Sequence, residues 1–119
     1  ILIQENEKED TFDNEGKIAI ICDDIADTCG TLISVVNELV KHKITSIICV
    51  ITHGIFSSNA IEKINQCLYI KKIYVSDSVP QEENIKQCPK LEVFTLSVLL
   101  SDVIERVITR KPISELFVL

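Results

Sequence analysis

The chain has 119 residues, of which 46% are hydrophobic and 25% charged, and a formal net charge of −6. That length fits one domain or part of one, able to bury roughly two-thirds of its unfolded surface, and the composition excludes a disordered chain. The acidic balance argues against a nucleic-acid surface, which would carry a basic patch, and no apolar run approaches the ~18 residues of a membrane span.

With only 5% aromatic residues the core must be aliphatic. ILIQENEKED, at the start, has neither the basic flank nor the apolar length of a signal peptide. The five cysteines (22, 29, 49, 67 and 88) contain no CxxC pair, and three lie in or beside apolar stretches, as buried free thiols do. A reducing, cytoplasmic setting is the natural expectation.

Residues 5–16, ENEKEDTFDNEG, are polar and acidic and read as a mobile loop between two strands. KIAIIC (17–22) is short, β-branched and apolar on both faces, the pattern of a buried parallel strand. After a cluster of aspartates, Leu32, Val35, Val36, Leu39 and Val40 fall at helical spacing on one face. SIICVI (46–51) reads as a second buried strand. SNAIEKINQC (58–67) reads as a short helix capped by Ser58 or Asn59. KKIYVS (71–76) is a third strand, Pro80 marks the loop after it, and KLEVFT (90–95) is a fourth. Ser97 is placed to cap a last helix, in which Leu100, Val103, Ile104, Val107 and Ile108 hold helical spacing. Strands alternating with helices indicate an α/β fold with a mostly parallel sheet.

In such folds ligands sit at the carboxyl ends of strands, where loops feed helix N-termini. CDDIADTCGT (22–31) lies at such a junction. Thr28, Cys29, Gly30 and Thr31 are small, and Gly30 would let the backbone approach a ligand. Their N–H groups and hydroxyls at a helix start would form an anion site, most simply for a phosphate. Asp23, Asp24 and Asp27 would repel that phosphate, and suit neighbouring hydroxyls or a divalent cation instead. A sugar phosphate would need both halves. Asp and Thr are also common helix caps and loop residues, but three clustered acids exceed what capping requires.

IICDDIADTCGT resembles the ribose 5-phosphate loop of the type I phosphoribosyltransferase fold. ITHGIFSSNAIEKI (51–64), VSDSVPQEENIKQCPKLEV (75–93) and the closing ISELF (113–117) narrow the resemblance to ribose-phosphate diphosphokinases, also called PRPP synthetases, in their eukaryotic-type form. The likeness runs from about Lys17 to Phe117 and makes residues 1–119 the C-terminal part of that fold, an incomplete domain. It implies that Asp27–Thr31 wraps the 5-phosphate of ribose and that Asp23 holds ribose hydroxyls. Asp27 then lies near C1, as an orienting group or weak base. The implied reaction moves a diphosphoryl group from ATP to the C1 hydroxyl of ribose 5-phosphate, with Mg²⁺, in a cytoplasmic homo-oligomer that is a hexamer in the family.

The departures set further expectations. The family's ATP-binding elements, a metal-binding histidine, and a catalytic lysine and arginine precede this region, and no Lys or Arg in ILIQEN matches the last two. A fragment is therefore expected, inactive alone. The acidic 5–16 segment is longer than the usual connection, and Ser58-Asn59 stands where the family has Gly-Pro. Pro112 replaces a serine that helps bind an allosteric phosphate, while Ser114 and Phe117, which belong to that site by resemblance, remain. Two alternatives stay open: a non-catalytic regulatory subunit associated with active synthetases, and a nucleobase phosphoribosyltransferase. The intact Asp-Thr-Cys-Gly-Thr loop disfavours the first, and the synthetase-like segments outside it disfavour the second.

Of the remaining reactive side chains, Cys29 near a helix N-terminus suits either a reactive thiol or a compact part of the phosphate cradle, the latter preferred. His53 shows no Ser or Cys partner for a triad and reads as structural at the turn before Gly54. His42, at a helix end, reads as a solvated cation favoured by the dipole. The cysteines and histidines have no metal-ligand spacing.

Overall fold

The computed structural model describes residues 16–117; the acidic segment, apart from Gly16, and ILIQEN lie outside them. Four strands alternate with helices in the order β1 (Ile18–Ala26), α1 (Gly30–Lys41), β2 (Ser46–Gly54), α2 (Ala60–Gln66), β3 (Ile70–Ser76), α3 (Glu82–Gln87), β4 (Leu91–Phe94) and α4 (Ser97–Ile108), with a 3-10 turn at Ser114–Phe117. The sheet is parallel throughout and its spatial order is β1-β2-β3-β4. The expected α/β class with a parallel sheet flanked by helices is thus observed.

The sequential order has a physical consequence. Parallel crossovers are right-handed, so connections that always step in the same direction carry α1, α2 and α3 to one face. Burial follows that rule. Ile21, Ile47, Cys49, Ile51, Ile73 and Val75 point under the helices and are buried with Leu32 and Val36 of α1 and Ala60, Ile61 and Ile64 of α2. Fully burying an isoleucine stabilises the fold by roughly 1.5–3 kcal/mol. The opposite face stays open, with Ile18 at 60% and Ile20 at 57% exposure and Cys22, paired with Val50, also exposed. KIAIIC is therefore buried on one face only, not on both as its apolar run suggests. The α4 stripe is likewise helical, but none of its residues is buried.

Several boundaries move for identifiable reasons. β1 continues past Cys22 because its ladder with β2 runs on through Asp23↔Ile51 and Ile25↔His53 to Ala26↔Gly54. Asp23 and Asp24 are therefore strand residues. α2 starts at Ala60, since Ser58 has φ 55°, and neither Ser58 nor Asn59 caps it by side chain. The loop expected after Pro80 contains α3, a six-residue helix with no buried residue and hence no apolar stripe to read. α4 is held by Thr95 rather than Ser97: the Ser97 N–H donates to Thr95 Oγ1 at 3.1 Å. α1 ends as a Schellman motif in which Lys43, at φ 66°, donates to Val40 O and Ile44 donates to Leu39 O.

Candidate sugar-phosphate site

The carboxyl ends of β1 and β2 open onto a cleft of about 320 Å³. It is lined by Asp23, Ile25 and Ala26 of β1, the loop Asp27–Cys29, the first turn of α1 (Gly30, Thr31, Leu32), and Ile51. The structure thus brings together Asp23, Asp27, Thr28, Cys29, Gly30 and Thr31. Asp24 does not line the cleft, because neighbours along a strand point to opposite faces.

The loop geometry favours exposed amides. Cys29, at the N-cap of α1, is left-handed at φ 62°, an uncommon conformation for a residue with a side chain. Its side chain is buried while Asp27, Thr28, Gly30 and Thr31 on either side are exposed. Among the described residues no side chain caps α1, which leaves its first N–H groups available to an anion. A Cβ built on Gly30 would meet nothing within 4 Å, and no positive φ requires glycine there. Glycine at this position is a matter of open space beside the backbone rather than of the turn.

Burial also settles the cysteine. It pushes the Cys29 thiol up to about 11, against an opposing pull from Lys63, so the thiol stays protonated at neutral pH and the reactive-thiol reading falls. Cys49, deeper in the sheet, is pushed up to about 12 by the same cause.

The aspartates are tied locally. Asp23 Oδ1 accepts the Asp24 N–H at 2.9 Å, and Asp24 Oδ1 accepts the Ile25 N–H at 2.8 Å. Hydrogen bonding to the Asp23 carboxyl, and then to Ile25 N–H, holds the Asp24 carboxyl below the usual range. Asp27 Oδ1 accepts the hydroxyl of Ser57.

Ser57 belongs to a second loop, 55–59, between β2 and α2. Ile55 and Phe56 both donate their N–H to Ala26 O, at 2.9 and 3.1 Å. Phe56 and Ser58 sit at φ 48° and 55°. A Cβ on Gly54 would come within 2.4 Å of Phe56 and 2.7 Å of Val75, so here only glycine fits. Buried Gln81 donates to Gly54 O at 2.7 Å and accepts from Asn84 at 2.9 Å. From α2, the Lys63 ammonium donates to Thr28 O at 3.0 Å. Ser57 and Lys63 are absent from the sequence-derived site; the only hint was that Ser57 falls in GIFSS, just past a strand end.

Two other expectations are placed elsewhere. His53 Nδ1 lies 2.7 Å from Ser78 Oγ, a serine partner that sequence did not reveal. The Ser78 hydroxyl donates to Thr52 O at 3.2 Å, so its oxygen is left to accept from the ring, a structural bridge between β2 and the end of β3. Ser114 and Phe117 lie in the 3-10 turn, tied to α4 where Arg106 donates to Pro112 O and Glu115 at 2.8 Å. They do not line the cleft. Among the described residues no three His, Cys, Asp or Glu side chains converge as a metal site, and no helix is long and apolar enough to cross a membrane.

A family model, the phosphoribosyl synthetase-associated domain, matches residues 10–118. The chain belongs to this family. The chain is 44% identical over 101 residues to ribose-phosphate pyrophosphokinase 3 of Saccharomyces cerevisiae, covering 85% of the chain and 31% of the relative. It is also 44% identical over 94 residues to ribose-phosphate pyrophosphokinase B of Dictyostelium discoideum, covering 79% and 28%. Its fold matches the phosphoribosylpyrophosphate synthetase from Mycobacterium smegmatis with a TM-score of 0.72 and 32% identity, over 80% of this chain and 31% of that one. The chain thus spans about a third of the length of the relatives it matches.

Proposed function

We propose that this domain supplies the ribose 5-phosphate-binding part of a ribose-phosphate diphosphokinase, as the C-terminal half of a eukaryotic-type enzyme. The observation that carries the reading is the Cys29–Thr31 turn. Uncapped amides at the start of α1 face a cleft that has open space at Gly30 and carboxylates at its sugar end. The names of the relatives support the same substrate class.

In this reading the Gly30 and Thr31 amides and the Thr28 and Thr31 hydroxyls bind the 5-phosphate, and Asp23 accepts from ribose hydroxyls. Asp27, with one oxygen engaged by Ser57, uses the other to orient the C1 end. The reaction transfers a diphosphoryl group from ATP to the C1 hydroxyl, and such chemistry depends mainly on positioning. ATP is held mostly by groups outside this chain, so the 119-residue chain alone binds sugar phosphate without making PRPP. The carboxylates present do not form a metal cage, so Mg²⁺ would enter with the phosphates and take at most one or two of them. Assembly as a cytoplasmic homo-oligomer, a hexamer by family resemblance, belongs to the same proposal. A non-catalytic associated subunit is the second reading: the description of the matching family as an associated domain supports it, and the intact Asp-Thr-Cys-Gly-Thr loop weighs against it.

Calorimetric titration separates sugar phosphate from plain anion binding. Ribose 5-phosphate is expected to bind more tightly than inorganic phosphate, with ribose weaker than both. Equal affinity for ribose 5-phosphate and inorganic phosphate would leave only an unspecific anion site.

A further inference from the structure

Two aspartates, Asp23 and Asp27, line a cleft that is read as taking a phosphate, and a left-handed cysteine stands beside them. Something must hold that arrangement. The Thr28–Cys29 peptide is pinned on one side, where Lys63 donates to Thr28 O at 3.0 Å. The next peptide is pinned on the other, where Ile33 donates to Cys29 O at 3.0 Å. In a trans peptide the C=O and N–H point in opposite directions, so drawing Thr28 O toward α2 sends the Cys29 N–H the other way. Released, that peptide could turn its carbonyl toward a bound anion. The Lys63 charge also reaches the loop, as its pull on the Cys29 thiol shows. Ser57 does a different job at the sugar end: its hydroxyl fixes one oxygen of Asp27 across 30 residues of sequence.

We infer that Lys63 and Ser57 are positioning residues of this site, Lys63 for the phosphate-binding turn and Ser57 for the sugar-facing carboxylate. The inference rests on the sugar-phosphate reading above. It assigns the two ends of the ligand to two different supports, and therefore gives each support a different signature. Removing Lys63 weakens every phosphate-bearing ligand, because both the turn and the charge are lost. Removing Ser57 frees the Asp27 carboxylate and weakens only the ligand that carries a sugar. Both residues are half-buried and neither belongs to the hydrophobic core cluster, so neither variant opens a cavity in the core.

The test is titration of the purified chain with inorganic phosphate and with ribose 5-phosphate, for the parent, Lys63→Met, Lys63→Arg and Ser57→Ala. Lys63→Met is expected to lose about 10-fold or more in affinity for both ligands, the scale of a charge-assisted hydrogen bond. Lys63→Arg, which keeps charge and donors, should restore most of it. Ser57→Ala should lose affinity for ribose 5-phosphate and keep it for inorganic phosphate. Lys63→Met binding both ligands as the parent does would overturn the role of Lys63, as would an equal loss in Lys63→Arg. An equal loss for both ligands in Ser57→Ala would overturn the role of Ser57. A parent chain that binds neither ligand would instead overturn the sugar-phosphate reading itself, and the inference with it. Melting curves of each variant check that the fold is kept.

Discussion

The Asp77 carboxylate, just past the end of β3, accepts the Leu96 N–H at 2.9 Å and so ties that strand to the N-cap residue of α4. The Leu96 N–H, followed by the Thr95 hydroxyl, holds this carboxyl below its ordinary value of 3.8. A depressed carboxyl stabilises the fold above its unfolded value and loses that contribution as pH falls through the folded one. Asp77→Ala is therefore expected to lower the melting temperature at neutral pH. The difference from the parent should shrink on acidification below about pH 4, where the parent loses its own tie. Melting temperatures of the two proteins across that pH range provide the check.

The two glycines at the site are expected to part company. Gly30→Ala places a methyl in open space at the start of α1 and removes backbone freedom from the unfolded chain, so stability should hold or rise by about 0.5–1 kcal/mol. Ribose 5-phosphate binding should fall, since the methyl enters the space reserved for the ligand. Gly54→Ala meets Phe56 and Val75 side chains at 2.4 and 2.7 Å and should cost roughly 1–3 kcal/mol from overpacking. Denaturant melts of both variants, with a titration of Gly30→Ala, distinguish a binding glycine from a packing one.

Thiol labelling should follow burial. Cys29 and Cys49 are protonated well above neutral pH and buried, and Cys88 is buried too, whereas Cys22 is exposed on the open sheet face. The thiolate is the reacting species, so native protein at pH 8 should take up iodoacetamide first at Cys22, then at half-buried Cys67. Peptide mapping by mass spectrometry reads the order. Early modification of Cys29 would restore it as a reactive thiol.

Asp27→Asn should separate the two ends of the ligand. Asparagine keeps an oxygen to accept from Ser57, so the melting temperature should hardly move. Losing one of three nearby negative charges lessens repulsion of an anion, and inorganic phosphate should bind as well as before or better. Ribose 5-phosphate should lose on the order of 10-fold, as the charged acceptor for its hydroxyl is gone. A large drop in melting temperature with unchanged binding would return this aspartate to a structural role.

The parts of this fold that were legible in sequence are those with a period. The four strands and the α1 stripe could be read because β-branched runs and helical spacing are set by burial under one layer. The turn proposed to bind phosphate could be read because small residues between a strand and a helix are a local signal. What escaped reading was set by partners distant in the chain. Lys63 reaches Thr28 across 35 residues, and His53 meets Ser78 across 25, from positions with no pattern of their own. The open sheet face escaped for another reason: KIAIIC is apolar on both faces, and only the sequential strand order decides that helices cover one of them. α3 has six residues and buries none, so it left no periodic trace.

On the proposed reading, the first amides of α1 bind the phosphate of a sugar phosphate. The most direct measurement is a ¹⁵N–¹H correlation spectrum of the chain during titration with ribose 5-phosphate. The Gly30 and Thr31 amides should shift first and furthest and saturate together, with Thr28 and Cys29 following. Saturating ribose 5-phosphate that leaves those amides unmoved, or moves residues around Arg106 and Lys111 instead, would contradict it.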